Sequence, residues 1–212
     1  MVSFHCQFTK SENQLIMIII PKNYSSPYGI MDTERAIKLI KDTFEKALAE
    51  ALHLTRISAP LFVKRNTGLN DDLNGVERPV SFEMKDAEGQ TIEIIHSLAK
   101  WKRLALKRYS IALHEGIYTD MNAIRRDEEL DNTHSIYVDQ WDWEKVIAPS
   151  DRSLEYLQQT VNQLYNAFLE TEAALVAHYP KCKAFLPKEI TFISSQELED
   201  RYPTLSPQKR EE

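Results

Sequence analysis

Glycine is scarce in this chain: 212 residues hold five, Gly29, Gly68, Gly75, Gly89 and Gly116. None falls in G-x-x-x-x-G-K-[ST] or G-x-G-x-x-G, so neither a phosphate-cradling P-loop nor a dinucleotide fingerprint is present. Cysteine is scarcer still. Cys6 and Cys182 have no C-x-x-C spacing, so neither a zinc site nor a disulfide framework is indicated, and a reducing cytoplasm fits best. The longest apolar run, "LIMIII" at 15–20, is too short to cross a bilayer and lacks both a basic n-region and an A-x-A pattern, so no export signal and no membrane partner are expected. His114 in "HEG" lacks the second histidine of a zinc-protease helix, and no serine sits in a G-x-S-x-G elbow. Excess positive charge is absent too: the net charge is −6 and the pI about 5.6, which leaves no footprint for a long phosphate backbone. Nucleic acid is not an expected partner.

Hydrophobic residues make up 42% of the chain, enough for the core of one large domain or two small ones. Residues 1–16 differ in composition from the rest of the chain, and Met17 opens "MIIIPKNYSS" like a natural start, so 1–16 are expected to be an extension and 17–212 the domain. From Asp32 to about Leu54, Ile37, Ile40, Phe44, Leu48 and Leu52 keep helical spacing, with Asp32 or Thr33 as cap. "LTRISAPLFV" reads as an edge strand broken at Pro60. "VSFEM" and "TIEII" read as a hairpin turning at Gly89. Ser97 is expected to cap a helix with Leu98, Trp101 and Ala105 on its stripe. "GIYTDMNAI" and "HSIYVDQWDWEKV" form a second antiparallel pair around a charged loop. Ser153 to about Tyr179 is a long amphipathic helix with Leu154, Leu157, Val161, Leu164, Phe168 and Leu175 on its stripe, and "EITFIS" and "SQELEDRY" add a short strand and a helical turn. Strands joined as hairpins with helices outside predict an α+β fold on an antiparallel sheet.

Chemistry gathers around the charged hairpin. Arg125, Arg126, Asp127 and Glu128 lead into its loop, and Gln140, Asp142 and Glu144 share one face of the returning strand. A guanidinium is a planar fork suited to phosphate or carboxylate, while nearby acids hold a cation or an amine. The same residues also fit a surface hairpin laced with weak ion pairs. "HSLAKWKR" offers His96, Ser97, Lys100, Lys102 and Arg103 at a helix start, where an anion is attracted. Lys107 reads as wet helix face. Asp71 and Asp72 read as turn formers or as ligands for an ammonium group.

Taken together, "AP" at 59–60, "NDDLNGVE" at 70–77, "HSLAKWKR" at 96–103, "GIYTDMNAIRRDEE" at 116–129, "HSIYVDQWDWEKV" at 134–146 and "SSQELEDRYP" at 194–203 resemble the ammonia-dependent asparagine synthetases, the aspartate-ammonia ligases. The resemblance covers roughly residues 17–210. It implies the fold of class II aminoacyl-tRNA synthetase cores, an antiparallel sheet flanked by helices, with the helix from Asp32 and Pro60 as the first motif at a homodimer interface and Arg125 through Glu144 as the second. It implies ATP-dependent joining of L-aspartate and ammonia through a side-chain acyl-adenylate, releasing AMP and pyrophosphate with Mg²⁺ as counterion. On the same resemblance Asp71 holds the substrate amino group, Lys102 and Gln140 orient the amino acid, Arg125 binds the α-phosphate, Glu128 lies near the nucleotide and Asp142 stands at the substrate end. Ser97 and Lys100 are further substrate-binding candidates.

The family's third motif, of the form G-G-G-I-G-Q-S-R, is not in these 212 residues. The domain is therefore expected to be partial, and the chain alone to have little or no synthetase activity. There are two rivals. A fragment of an aspartyl- or asparaginyl-tRNA synthetase would place an anticodon-binding barrel before the first motif, and the motif helix starts by Asp32. An inactive relative that dimerises or binds an amino acid remains the alternative.

Overall fold

The structure, a computed structural model, describes residues 19–71, 73 and 75–211. The expected extension at 1–16, the alternative start at Met17, Cys6 and Asp72 lie outside the described residues. The elements run α1 (Ile30–Leu52), β1 (Leu54–Arg56), β2 (Phe62–Lys64), β3 (Ser81–Phe82), β4 (Ile92–Ile94), α2 (Ala99–Arg108), β5 (Gly116–Ile124), β6 (Tyr137–Lys145), α3 (Leu154–His178), α4 (Ser195–Arg201) and α5 (Pro207–Glu211). The class is α+β as expected, but the sheets are not purely antiparallel. One has the order β2-β4-β3 and the other β1-β5-β6. In the first, β4 pairs antiparallel with both neighbours, Phe62 opposite Ile94 and Phe82 opposite Ile92. In the second, the Gly116 N–H bonds the His53 carbonyl at 3.0 Å and the Ile57 N–H bonds the Tyr118 carbonyl at 2.9 Å. Both bonds advance the same way along the two segments, the ladder of a parallel pair. β5 and β6, joined by the charged loop, pair side by side in this sheet, whereas β1 and β5 are far apart in the chain.

By its contacts the chain divides into two units: residues up to Ser26 with 57–110 and 118–144, and residues 27–56, 111–117 and 145–212. In the first, Ile95, Leu98, Met121 and Ala123 form a buried cluster against which Ala59, Val63, Trp101 and Val138 pack. β5 is buried on both faces over most of its length. In the second, α1 packs on α3. Phe44, Ala47, Leu48 and Leu52 are buried on α1, and the Phe44 and Phe168 rings lie 4.7 Å apart. On α3 the buried line runs through Ala167 and Thr171, whereas Leu154, Leu157 and Phe168 are exposed. Val161, Leu164 and Leu175 of the expected stripe are half-buried, so the stripe is in part observed, while its most buried positions are the small Ala167 and Thr171.

Local starts and stops correct several expectations. α1 begins two residues before Asp32, with Gly29 as N-cap and the Thr33 hydroxyl donating to the Gly29 carbonyl at 3.1 Å. α2 is preceded by Leu98 without a side-chain cap; Ser97 Oγ instead accepts from the Ala99 N–H at 3.2 Å. The strand expected at 189–194 is absent. The chain before it is tied to α3 by side chains: Glu172 accepts from the Phe185 and Leu186 N–H groups at 2.7 and 3.0 Å, and the Tyr165 hydroxyl donates to the Pro187 carbonyl at 2.6 Å. α4 starts with a capping box, Ser194 and Glu197 each accepting the other's N–H.

Candidate functional site

Leu98, Lys102 and Ala105 fall on one stripe of α2 at helical spacing, and all three are buried. A lysine on a core-facing stripe needs its charge matched. β6 supplies the match: Lys102 Nζ donates to Asp142 Oδ1 at 2.5 Å and to the Trp143 carbonyl at 2.7 Å, and Glu144 Oε2 stands at 3.6 Å. Arg103 approaches Glu144 from the solvent side at 3.7 Å. Gln140, two residues before Asp142, lies on the same face and is half-buried, its Nε2 reaching the Met121 sulfur at 3.5 Å among the described residues. A thioether is a weak acceptor, so this amide keeps most of its bonding capacity for a ligand. Tyr137, on the opposite face of β6, is 58% exposed and bonds the Asn122 side chain through its hydroxyl.

A second group lies where β4 ends. Asn70 is buried, and each of its polar groups is engaged. Its Oδ1 accepts from the His96 N–H at 2.8 Å, its Nδ2 donates to Glu93 Oε2 at 3.3 Å and to the Ile94 carbonyl at 3.4 Å, and its carbonyl accepts from Lys100 Nζ at 3.5 Å. Lys100 also pairs with Asp71 at 3.5 Å. Glu93, 5% exposed, is paired in turn with Arg65 at 3.2 Å. One asparagine thereby fastens the loop carrying Asp71 to the segment carrying His96 and Ser97.

The third group is the β5–β6 connection. The Arg125 N–H to Ile136 carbonyl bond, 2.8 Å, closes the strands, and the Glu128 N–H to Arg125 carbonyl bond, 3.1 Å, starts the turn. Arg125 and Glu128 side chains face each other at 3.8 Å. Arg78 grips Asp127 with two guanidinium nitrogens, at 3.0 and 2.6 Å, and with its own N–H at 2.8 Å. These hydrogen bonds hold the Asp127 carboxyl far below the usual carboxylate range, and the carboxylate raises the Arg78 pKa. Asp131 accepts the N–H groups of Thr133 and His134, each at 2.7 Å, and the His134 ring nitrogen at 2.9 Å. Its pKa is lowered by these bonds, the Thr133 N–H first. That of His134 is raised, chiefly by its hydrogen bond to Asp131. A pocket of about 470 Å³ opens beside this loop, lined by Arg125, Arg126, Glu128, Asp131, His134 and His96 among others.

Lys102 and Asp142 are thus joined, as are Lys100 with Asp71 and Arg125 with Glu128. Among the described residues no hydrogen bond or ion pair links the Arg125–Glu128 pair to the Lys102–Asp142 pair. Asn70, Arg78 and Glu93 are not legible as contributors from the sequence. Glu93 alternates with Ile92 and Ile94 and reads as a solvent-facing strand residue, yet it is buried. Arg78 and Asp127 are 49 positions apart, a separation over which residue types carry no pairing signal. His96 is visible there only as part of "HSLAKWKR".

The family described as aspartate-ammonia ligase matches residues 31–212. An aspartate–ammonia ligase of Lactobacillus johnsonii is 58% identical over 195 residues, 92% of this chain. One from Clostridium perfringens is 60% identical and one from Ruminiclostridium cellulolyticum 56% identical, each over 194 residues and 92% of this chain. The chain spans 58% of the length of each of these curated relatives.

Proposed function

The chain belongs to the aspartate-ammonia ligase family, and from that membership we propose that its site serves ATP-dependent synthesis of L-asparagine from L-aspartate and ammonia through an aspartyl-adenylate. The carrying observation is that one unit holds both a buried lysine of α2 ringed by carboxylates of β6 and an arginine-bearing pocket beside the β5–β6 loop. A carboxylate is a poor electrophile. Attack by its oxygen on the α-phosphate expels pyrophosphate and converts it to an acyl-adenylate that ammonia can open, with AMP as leaving group. Both steps depend on positioning and on neutralising charge. In this reading Arg125 grips the α-phosphate, Glu128 lies near the nucleotide, and Asp71 receives the substrate α-amino group. Lys102, Gln140 and Asp142 orient the amino acid, with Ser97 and Lys100 beside them.

Among the described residues no cluster of three or more His, Cys, Asp or Glu side chains is placed to hold a metal. Mg²⁺ would enter with the phosphates of ATP, where one carboxylate such as Glu128 suffices because Mg²⁺ keeps most of its waters. The likeness to class II synthetase cores belongs to the same proposal, supported by a long helix and a strand broken near Pro60 ahead of an arginine-bearing hairpin. So do a cytoplasmic location and homodimerisation through α1, whose Ile30, Met31 and Ile37 are exposed. Titration calorimetry with L-asparagine and with ATP tests the reading. Binding of both supports it, binding of asparagine alone favours an amino-acid-binding module, and binding of neither contradicts both.

A further inference from the structure

The His96 side chain is 1% exposed, yet neither ring nitrogen has a hydrogen-bond partner. Leaving one buried polar group unmade costs about 1–3 kcal/mol, and in native structures such a group calls for an explanation. Its backbone is fixed by the Asn70 side chain through the 2.8 Å bond to the His96 N–H, and the residue lines the pocket that contains Arg125.

Most of the other charged groups of that pocket are paired, Arg126 with Asp127 at 3.8 Å among them. Asp127 is held by Arg78 at 2.6 Å, Asp131 by His134 and two N–H groups, Glu128 faces Arg125 at 3.8 Å, and Glu129 is exposed. Arg125 Nε is likewise buried and unpartnered, but a guanidinium only donates. His96 is the uncommitted buried group with a lone pair to offer.

We infer that His96 is a catalytic residue of the amide-forming step, its free ring nitrogen taking a hydrogen of the nitrogen nucleophile. This rests on the reading of the site as that of an aspartate-ammonia ligase. Ammonium has no lone pair, so one N–H bond must break before a C–N bond can form. The proton passes to the imidazole lone pair, and the freed pair attacks the acyl carbon. The C–O bond to the phosphate then breaks with its electrons leaving on AMP, and a second proton is shed to solvent as the amide forms. Arg125 Nε, a buried and unpartnered donor of a residue lining the same pocket, suits the departing phosphate.

The test is nitrogen-15 NMR of the histidine rings in the 212-residue chain carrying a non-hydrolysable aspartyl sulfamoyl adenosine, titrated with ammonium chloride and separately with potassium chloride. Potassium matches ammonium in charge and approximate size but has no hydrogen to donate. The expected result is a saturable shift of the His96 ring nitrogens with ammonium alone, absent from the spectrum of His96→Gln. An equal shift with potassium, or none with ammonium while the analogue is bound, overturns the inference. Failure of the analogue itself to bind, read by calorimetry, overturns the underlying reading of the site. The wild-type titration decides even where His96→Gln fails to fold.

Discussion

Replacing Lys102 by methionine keeps a buried stem of similar length and removes the charge that Asp142 and Glu144 face at 2.5 and 3.6 Å. Two half-buried carboxylates are then left without their cation, and breaking a buried pair in this way costs roughly 3–5 kcal/mol. Lys102→Met is expected to lose about that much in urea unfolding. Asp142→Asn should lose less, because Glu144 remains as counter-charge; equal losses would mean that Glu144 carries none of the balance. Asn70→Ala removes the acceptor for the His96 N–H and the donor to Glu93. It should cost about 2 kcal/mol and accelerate hydrogen exchange at the His96 amide; unchanged exchange there would show that the loop is held by other means. The His134 pKa is raised by its hydrogen bond to Asp131. A raised value means that its contribution to stability is complete below the unfolded-chain pKa of about 6.5 and is lost as pH climbs through the folded value. An NMR titration of His134 should therefore show a midpoint above about 6.5 that falls in Asp131→Asn. A midpoint indifferent to Asp131→Asn would refute the pairing.

At the scale of elements, Leu48 is 1% exposed on α1 at the α3 contact, and Leu48→Ala is expected to destabilise by about 2–5 kcal/mol, measured by thermal or denaturant unfolding. The opposite change in pattern, Leu157→Ala on an exposed part of α3, should stay within about 0.5 kcal/mol. That contrast marks what the sequence can and cannot disclose. α1, the β5–β6 hairpin and α3 follow from periodicity over many residues, which reports burial on one face. The stripe of α3 is only partly read, because periodicity counts large apolar residues, while the most buried positions are Ala167 and Thr171. The missing strand at 189–194 has β-type residues, but Glu172 and Tyr165 bind the chain ahead of it, a tertiary effect that outweighs propensity. The parallel β1–β5 ladder is hidden for a related reason, since pairing of distant segments leaves no local trace. At the site, Lys102, Asp142, Arg125 and Glu128 are readable through motif resemblance. Asn70, Glu93 and Arg78 act through long-range hydrogen bonds and are not.

For the whole molecule, the chain spans 58% of the length of the curated relatives it matches, and it divides into two compact units. One unit holds the Lys102, Asn70 and Arg125 groups, and the other the α1–α3 pair. No helix among the described residues is long and apolar enough to cross a membrane. If aspartate and adenylate share one site in the first unit, a ligand that joins them should depend on both ends of it. The most direct measurement is calorimetric titration of the chain with aspartyl sulfamoyl adenosine, in wild type, Arg125→Ala and Lys100→Ala. Saturable one-to-one binding, weakened about tenfold or more by Arg125→Ala, the loss of a charge-assisted contact worth about 1.5–3 kcal/mol, and more mildly by Lys100→Ala, is the expected result. No binding, or binding that Arg125→Ala leaves unchanged, would contradict the assignment of this site to an aspartyl-adenylate.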